Sequence, residues 1–330
     1  MCNFFLVIIP FFFNNDLYTA YHTVYAHGII DTTSQIKRFK SAIPTDQEHT
    51  TTIVFPDSEK ETGYGLNRLI SEISTVLRKP VNRSKMYMGT SNDLLAMHHT
   101  ISKIASDQRI ILYGCSRGGA TCLSYLAQYN PKNITALILD ATPSCMPETI
   151  HPFLATIGIN SSYDQTIFST LFPAYQKNSL SPLEAIKQIK NKNIAILLLH
   201  SQNDTKVPFI HSMQLYLELK NNGFEHVYLV PFEKGAHAFL LQCPESKQLY
   251  LQAVHSFYKK YNLVYDPQLA SESLLEKYQP TIENTIEKIK EYQQSIQDKY
   301  LKSVQRNTTL AGCAFTLIFL YFLLSKLQKA

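Results

Sequence analysis

Six short β-rich runs, most of them apolar nearly throughout, constrain this chain more than any other feature. They read HTVYAH (22–27), TTIVFP (51–56), RIILYG (109–114), ITALILD (134–140), NIAILLLH (193–200) and HVYLVPF (226–232). A strand with one solvated face alternates apolar and polar residues, whereas an unbroken apolar run fits a strand covered on both faces, as in parallel sheets. Helical stretches fall between them, near 64–78, 91–106, 117–129, 181–190, 208–222 and 245–260, punctuated by Pro80, Pro131 and Gly223. Strand and helix in alternation predict an α/β fold, with a mostly parallel sheet, helices on both faces and right-handed crossovers.

The 330 residues suit one such domain, expected over 21–264, plus appendages. Residues 141–190 exceed an ordinary connection between two strands and carry five prolines, so they are read as a cap over a site. Residues 1–20 contain an apolar run, FFLVIIPFFF, that suits either a buried first strand or a signal peptide, although Met1-Cys2-Asn3 supplies no positive start. Over 265–306, Ile282, Ile286, Ile289, Ile296 and Val304 recur at helical spacing among charged and amide side chains. This predicts an amphipathic stalk, self-associating through 270–304, with packing back on the domain as the alternative. A transmembrane helix is expected over 307–327, whose uncharged core (308–325) would span about 27 Å at ~1.5 Å per residue. The partner implied is membrane lipid. The domain then lies on the cytoplasmic face unless residues 1–20 are a signal peptide.

Composition excludes several classes. The net charge of +5 is small for this length and its lysines form no basic stripe, so nucleic acid is not an expected partner. Six cysteines without paired spacing predict neither a disulfide framework nor a zinc site. No phosphate-binding, dinucleotide-binding or HExxH motif occurs, and no cofactor is expected.

Chemistry concentrates at three loops. Gly114-Cys115-Ser116-Arg117-Gly118 is the chain's one GxSxG, placed where the strand RIILYG meets a helix beginning near Arg117. A sharp strand-to-helix turn leaves no room for side chains two residues either side of the serine and presents its hydroxyl at the carboxyl edge of the sheet. The helix that follows aims its N-terminal N–H groups at the same place, which makes the backbone N–H of Arg117 an oxyanion donor. A serine hydroxyl needs a base, and the base needs a buried acid. Asp204 follows the strand NIAILLLH, and His237 lies in the glycine-containing loop after HVYLVPF. Asp140, also at a strand end, is the rival acid. Histidines 200, 211, 226 and 255 have no such loop setting and are read as structural.

The order Ser116, Asp204, His237 is that of α/β-hydrolases. The segments Asn203-Asp204-Thr205-Lys206-Val207-Pro208, QLYLELKNNG, VYLVPF and GAHAF, together with Ser116-Arg117-Gly118-Gly119, resemble the catalytic domain of the prolyl oligopeptidase family over residues 20–262. The resemblance implies the α/β-hydrolase fold. It also implies that His27-Gly28-Ile29 forms the second half of an oxyanion hole, through the N–H of Ile29. The large N-terminal propeller of that family has no counterpart here. The expected activity is hydrolysis of carboxylic esters through an acyl-enzyme. A serine peptidase acting on short peptides, and an inactive hydrolase-like binding protein, are the alternatives. Because these motifs end by Asn262, truncation there is expected to leave an active domain.

Overall fold

The computed structural model describes residues 21–29, 36–43, 48–56 and 86–309. The apolar segment 1–20, the helix expected over 64–78 and the segment 310–327 lie outside the described residues.

The strands are β1 (Tyr21–Ala26), β2 (Thr50–Thr52), β3 (Arg109–Cys115), β4 (Ile134–Asp140), β5 (Ala195–Ser201) and β6 (Val227–Phe232). They form one sheet in the order β2-β1-β3-β4-β5-β6, every neighbouring pair parallel. The helices, in chain order, are α1 (Ile36–Phe39), α2 (Ser91–Ile101), α3 (Arg117–Tyr129), α4 (His151–Thr156) and α5 (Asp164–Leu171). Then come α6 (Pro182–Gln188), α7 (Ile210–Asn221), α8 (Pro244–Lys260), α9 (Leu274–Tyr278) and α10 (Ile282–Thr309).

The unbroken apolar runs resolve into two cores by the two-residue period of a strand. Ile110 and Leu112 of β3, Leu137 and Leu139 of β4, and Ile196 and Leu198 of β5 face one side, against Leu123, Ile186 and Leu215 of α3, α6 and α7. Ile111 and Tyr113, Ala136 and Ile138, and Leu197 and Leu199 face the other, against Phe39 of α1, Val254 and Phe257 of α8 and Leu275 of α9. A third apolar cluster, Met86, Met88, Ala120, Met146 and Phe168, lies at the carboxyl edge between α3 and the excursion after β4. That excursion is shorter than the expected cap, because α6 packs on α3 as part of the helical layer.

Residues 265–306 do not form a free stalk. Helix α10 lies along α7 and α4, where Ile282, Ile289 and Tyr292 pack on the first core and Thr285, Ile296 and Ser303 are buried. Most of the apolar stripe read as a seam for self-association, Ile286 apart at 37% exposed, is the face that meets the domain, so packing back on the domain accounts for the stripe without a coiled coil. Upstream, the Gln279 side-chain amide donates to Tyr216 Oη (2.7 Å) and to the carbonyl of Val227 (2.8 Å). At the far end, Ser303 Oγ and Arg306 donate to the carbonyl of Thr156 (2.9 and 3.3 Å) and Asn307 donates to that of Ile157 (3.0 Å). The helix runs through 306 and 307, the boundary expected between stalk and transmembrane helix, to Thr309. Among the described residues no helix is long and apolar enough to cross a membrane.

Candidate active site

The site is built at the carboxyl edge of β3, β5 and β6. At Ser116 the backbone turns with φ 51°, a left-handed value that costs a non-glycine residue of order 1–3 kcal/mol. The turn is held by Ser116 N–H donating to the carbonyl of Asp140 (2.7 Å), and the Ser116 carbonyl starts helix α3 by accepting from Gly119 and Ala120 (3.0 and 3.2 Å). Close approach explains the flanking glycines. A Cβ on Gly118 would stand 1.9 Å from the carbonyl oxygen of Ala26, and one on Gly114 would stand 2.5 Å from the Cα of Gly119.

Ser116, Asp204 and His237 come together in one line. His237 Nε2 is 2.8 Å from Ser116 Oγ, and His237 Nδ1 is 2.6 Å from Asp204 Oδ2. The carboxylate requires Nδ1–H, so Nε2 is free to accept from the serine hydroxyl. Asp204 Oδ1 accepts from the N–H groups of Lys206 and Val207 (2.8 and 3.0 Å). Burial pushes the Asp204 carboxyl up, but hydrogen bonds from His200 and His237 outweigh it and hold the carboxyl well below the usual carboxylate range. The loop carrying His237 is pinned by Ser201 Oγ donating to the carbonyl of Gly235 (2.6 Å) and Ser246 Oγ to that of Lys234 (2.5 Å).

Asp140, the rival acid, makes no hydrogen bond to His237 among those observed. Its Oδ2 accepts from Tyr250 Oη (2.8 Å), which in turn is hydrogen-bonded to Tyr113 Oη. Burial raises its pKa to about 6 against the opposing hydrogen bond from Tyr250.

The two proposed oxyanion donors share this edge. Arg117 is the first residue of α3, and the tight packing of Gly118 on Ala26 and His27 brings the start of α3 against the end of β1, where Ile29 follows. Ile29 packs on the methionine-rich cluster that contains Ala120. The Arg117 side chain points away from solvent altogether. It is 0% exposed, with its guanidinium 2.7 and 2.5 Å from the two carboxylate oxygens of Asp93 and 4.5 Å from the centre of the Phe55 ring. Asp93 Oδ2 also accepts from Gly89 N–H (2.7 Å), so a buried ion pair braces the start of α3 against the segment 86–93. Nothing in the spacing of Asp93 and Arg117 announces that pair.

Sequence reasoning also missed His200. Its ring is fully buried, with Nε2 3.2 Å from Asp204 Oδ2 and 2.8 Å from the carbonyl of Val207, and Nδ1 2.6 Å from Ser212 Oγ. A titratable residue closing the apolar run ILLL was the available signal. His211 behaves as expected of a structural residue. Burial lowers its pKa to about 3 and its Nδ1 meets Ser144 Oγ at 2.7 Å. Among the described residues no group of side chains could hold a metal ion.

A sequence profile described as the prolyl oligopeptidase family matches residues 83–263, just over half of the chain. No curated protein sequence matches it. Solved structures with a similar fold include an acylaminoacyl peptidase from Pyrococcus horikoshii (19% identity, 79% of this chain and 40% of that one, TM-score 0.48). A puromycin-hydrolysing peptidase from Mycobacterium tuberculosis is similar (20% identity, 76% and 35%, TM-score 0.49), as is an esterase from Pyrococcus furiosus (15% identity, 73% and 83%, TM-score 0.45). The chain spans 40% or less of the two peptidases' length.

Proposed function

The chain belongs to the prolyl oligopeptidase family, and from that premise we propose that it is a serine hydrolase cleaving carboxylic esters through an acyl-enzyme on Ser116. The observation that carries the reading is the unbroken line from Ser116 Oγ through His237 to Asp204, at 2.8 and 2.6 Å. His237 Nε2 takes the serine proton as Oγ attacks the carbonyl carbon, and Asp204 stabilises the imidazolium that forms. The N–H groups of Ile29 and Arg117 receive the charge that develops on the carbonyl oxygen. His237 then returns the proton to the leaving alkoxide, and water repeats the cycle on the acyl-enzyme. The apolar cluster of Met86, Met88, Met146 and Phe168 beside Ile29 and Ala120 suits an apolar acyl group. Cleavage of short peptides is the second reading, favoured by the family itself.

A fluorophosphonate probe tests the reading. The wild type should label and Ser116→Ala should not; an unlabelled wild type leaves an inactive binding protein. Ester and peptide substrate panels then separate the two activities. We propose further that the apolar sequence 308–325 anchors the chain in a bilayer. Release of the intact protein by carbonate, without detergent, would overturn that.

A further inference from the structure

His200 is the penultimate residue of β5, on the face turned toward α7, four residues before Asp204. The carbonyl of Val207 offers only lone pairs, so the ring nitrogen facing it, Nε2, must carry a proton. That one N–H is therefore shared between the Val207 carbonyl at 2.8 Å and Asp204 Oδ2 at 3.2 Å. The opposite nitrogen is fixed by Ser212 Oγ on α7. The ring thus joins both ends of the turn that carries the carboxylate, residues 204 and 207, to the helix beneath.

We propose that His200 is a positioning residue: by donating to Asp204 Oδ2 it fixes the carboxylate edge that meets His237 and limits how strongly that edge holds the proton on His237 Nδ1. The proposal rests on Asp204 being the acid of the triad. With His200 in place, Asp204 accepts four hydrogen bonds, from the rings of His200 and His237 and from the N–H groups of Lys206 and Val207. Removing one leaves the charge less satisfied while Oδ1 remains pinned. The carboxylate then pulls harder on the His237 proton and favours the imidazolium. The other titratable groups facing this pair are His211 from α7 and Asp140 from β4, itself hydrogen-bonded to Tyr250.

The test compares His200→Leu, which has no donor, with His200→Gln, whose amide can reach the Nε2 position, in the full-length chain in detergent. On an ester substrate the leucine variant should lose about 10- to 100-fold in kcat with KM little changed, the loss expected for one hydrogen bond to a charged group. The acid limb of its kcat/KM profile should move upward by about one pH unit. The glutamine variant should recover most of both. An NMR titration of the His237 ring reads the same coupling without turnover and should show the same upward displacement in the leucine variant. If the wild type hydrolyses nothing, the proposed activity falls while this titration still decides the role of His200. A His237 titration unchanged by His200→Leu overturns the proposal, whatever happens to kcat. Should that variant not fold, Ser212→Ala, which frees the far side of the ring, must displace the His237 titration in the same direction, and no displacement overturns the proposal equally.

Discussion

Asp140 and Asp204 both sit at the carboxyl edge of the sheet and both are buried, yet their surroundings push them in opposite directions. Asp204 meets two imidazole rings and two backbone N–H groups, and stays ionised. Asp140 meets one tyrosine hydroxyl, and burial raises its pKa to about 6. Asp204→Asn should therefore cut kcat by about 10⁴-fold, the loss that follows when a triad acid becomes an amide, while Asp140→Asn should leave kcat within a few-fold. Near-normal turnover in the first variant together with loss in the second would exchange their roles. Asp140 also predicts a pH effect on stability. Its folded pKa lies above the unfolded value of 3.8, so its contribution is fully present below that value and is lost as pH rises through about 6. Relative to the wild type, Asp140→Asn should gain roughly 2 kcal/mol between pH 4 and pH 7 in denaturant titrations. An unchanged difference across that range would mean that the carboxyl is ionised throughout.

Among the elements, α3 and α10 mark the two extremes of what could be read in advance. Helix α3 was predicted over 117–129 and is found there, because a strand end, a serine flanked by glycines and an apolar face all specify the same boundary. Five of the six strands keep most of their predicted extent, since burial on both faces writes itself into composition, while the second shortens to Thr50–Thr52 at the sheet edge. Helix α10 was legible as an amphipathic helix, but its stripe fits a partner helix and the flank of α7 equally well, and only the fold decides between them. His200 was hidden for a related reason. Its partners are assembled by a turn and a neighbouring helix, and no spacing in the chain encodes that meeting. Docking of α10 predicts a difference between two of its residues. Ile296, 4% exposed, should cost about 2–5 kcal/mol as Ile296→Ala. Leu301, 47% exposed, should cost no more than about 0.5 kcal/mol as Leu301→Ala. Equal losses in thermal unfolding would mean that the helix does not lie on the domain by this face.

At the scale of the whole molecule, the domain extends past Asn262, where its sequence motifs end. Removing everything after that residue would strip Leu275 from the second core and uncover the side of the first core covered by Ile289 and Tyr292. A chain cut there should aggregate or bind a hydrophobic dye, and should show little activity. A stable, active fragment ending at Asn262 would contradict the packing described here. The hydrogen bonds from Ser303 and Asn307 to Thr156 and Ile157 bridge 147 and 150 residues of sequence. Contacts so distant in the chain close late. Ser116, Asp204 and His237 all emerge from the ribosome before the residues that fasten the excursion after β4, so a nascent chain holds its full reactive set while that part of the enclosure is still unfastened. Among the described residues α10 is the last helix in chain order, so the excursion after β4 stays unfastened at Thr156 and Ile157 until that helix has docked.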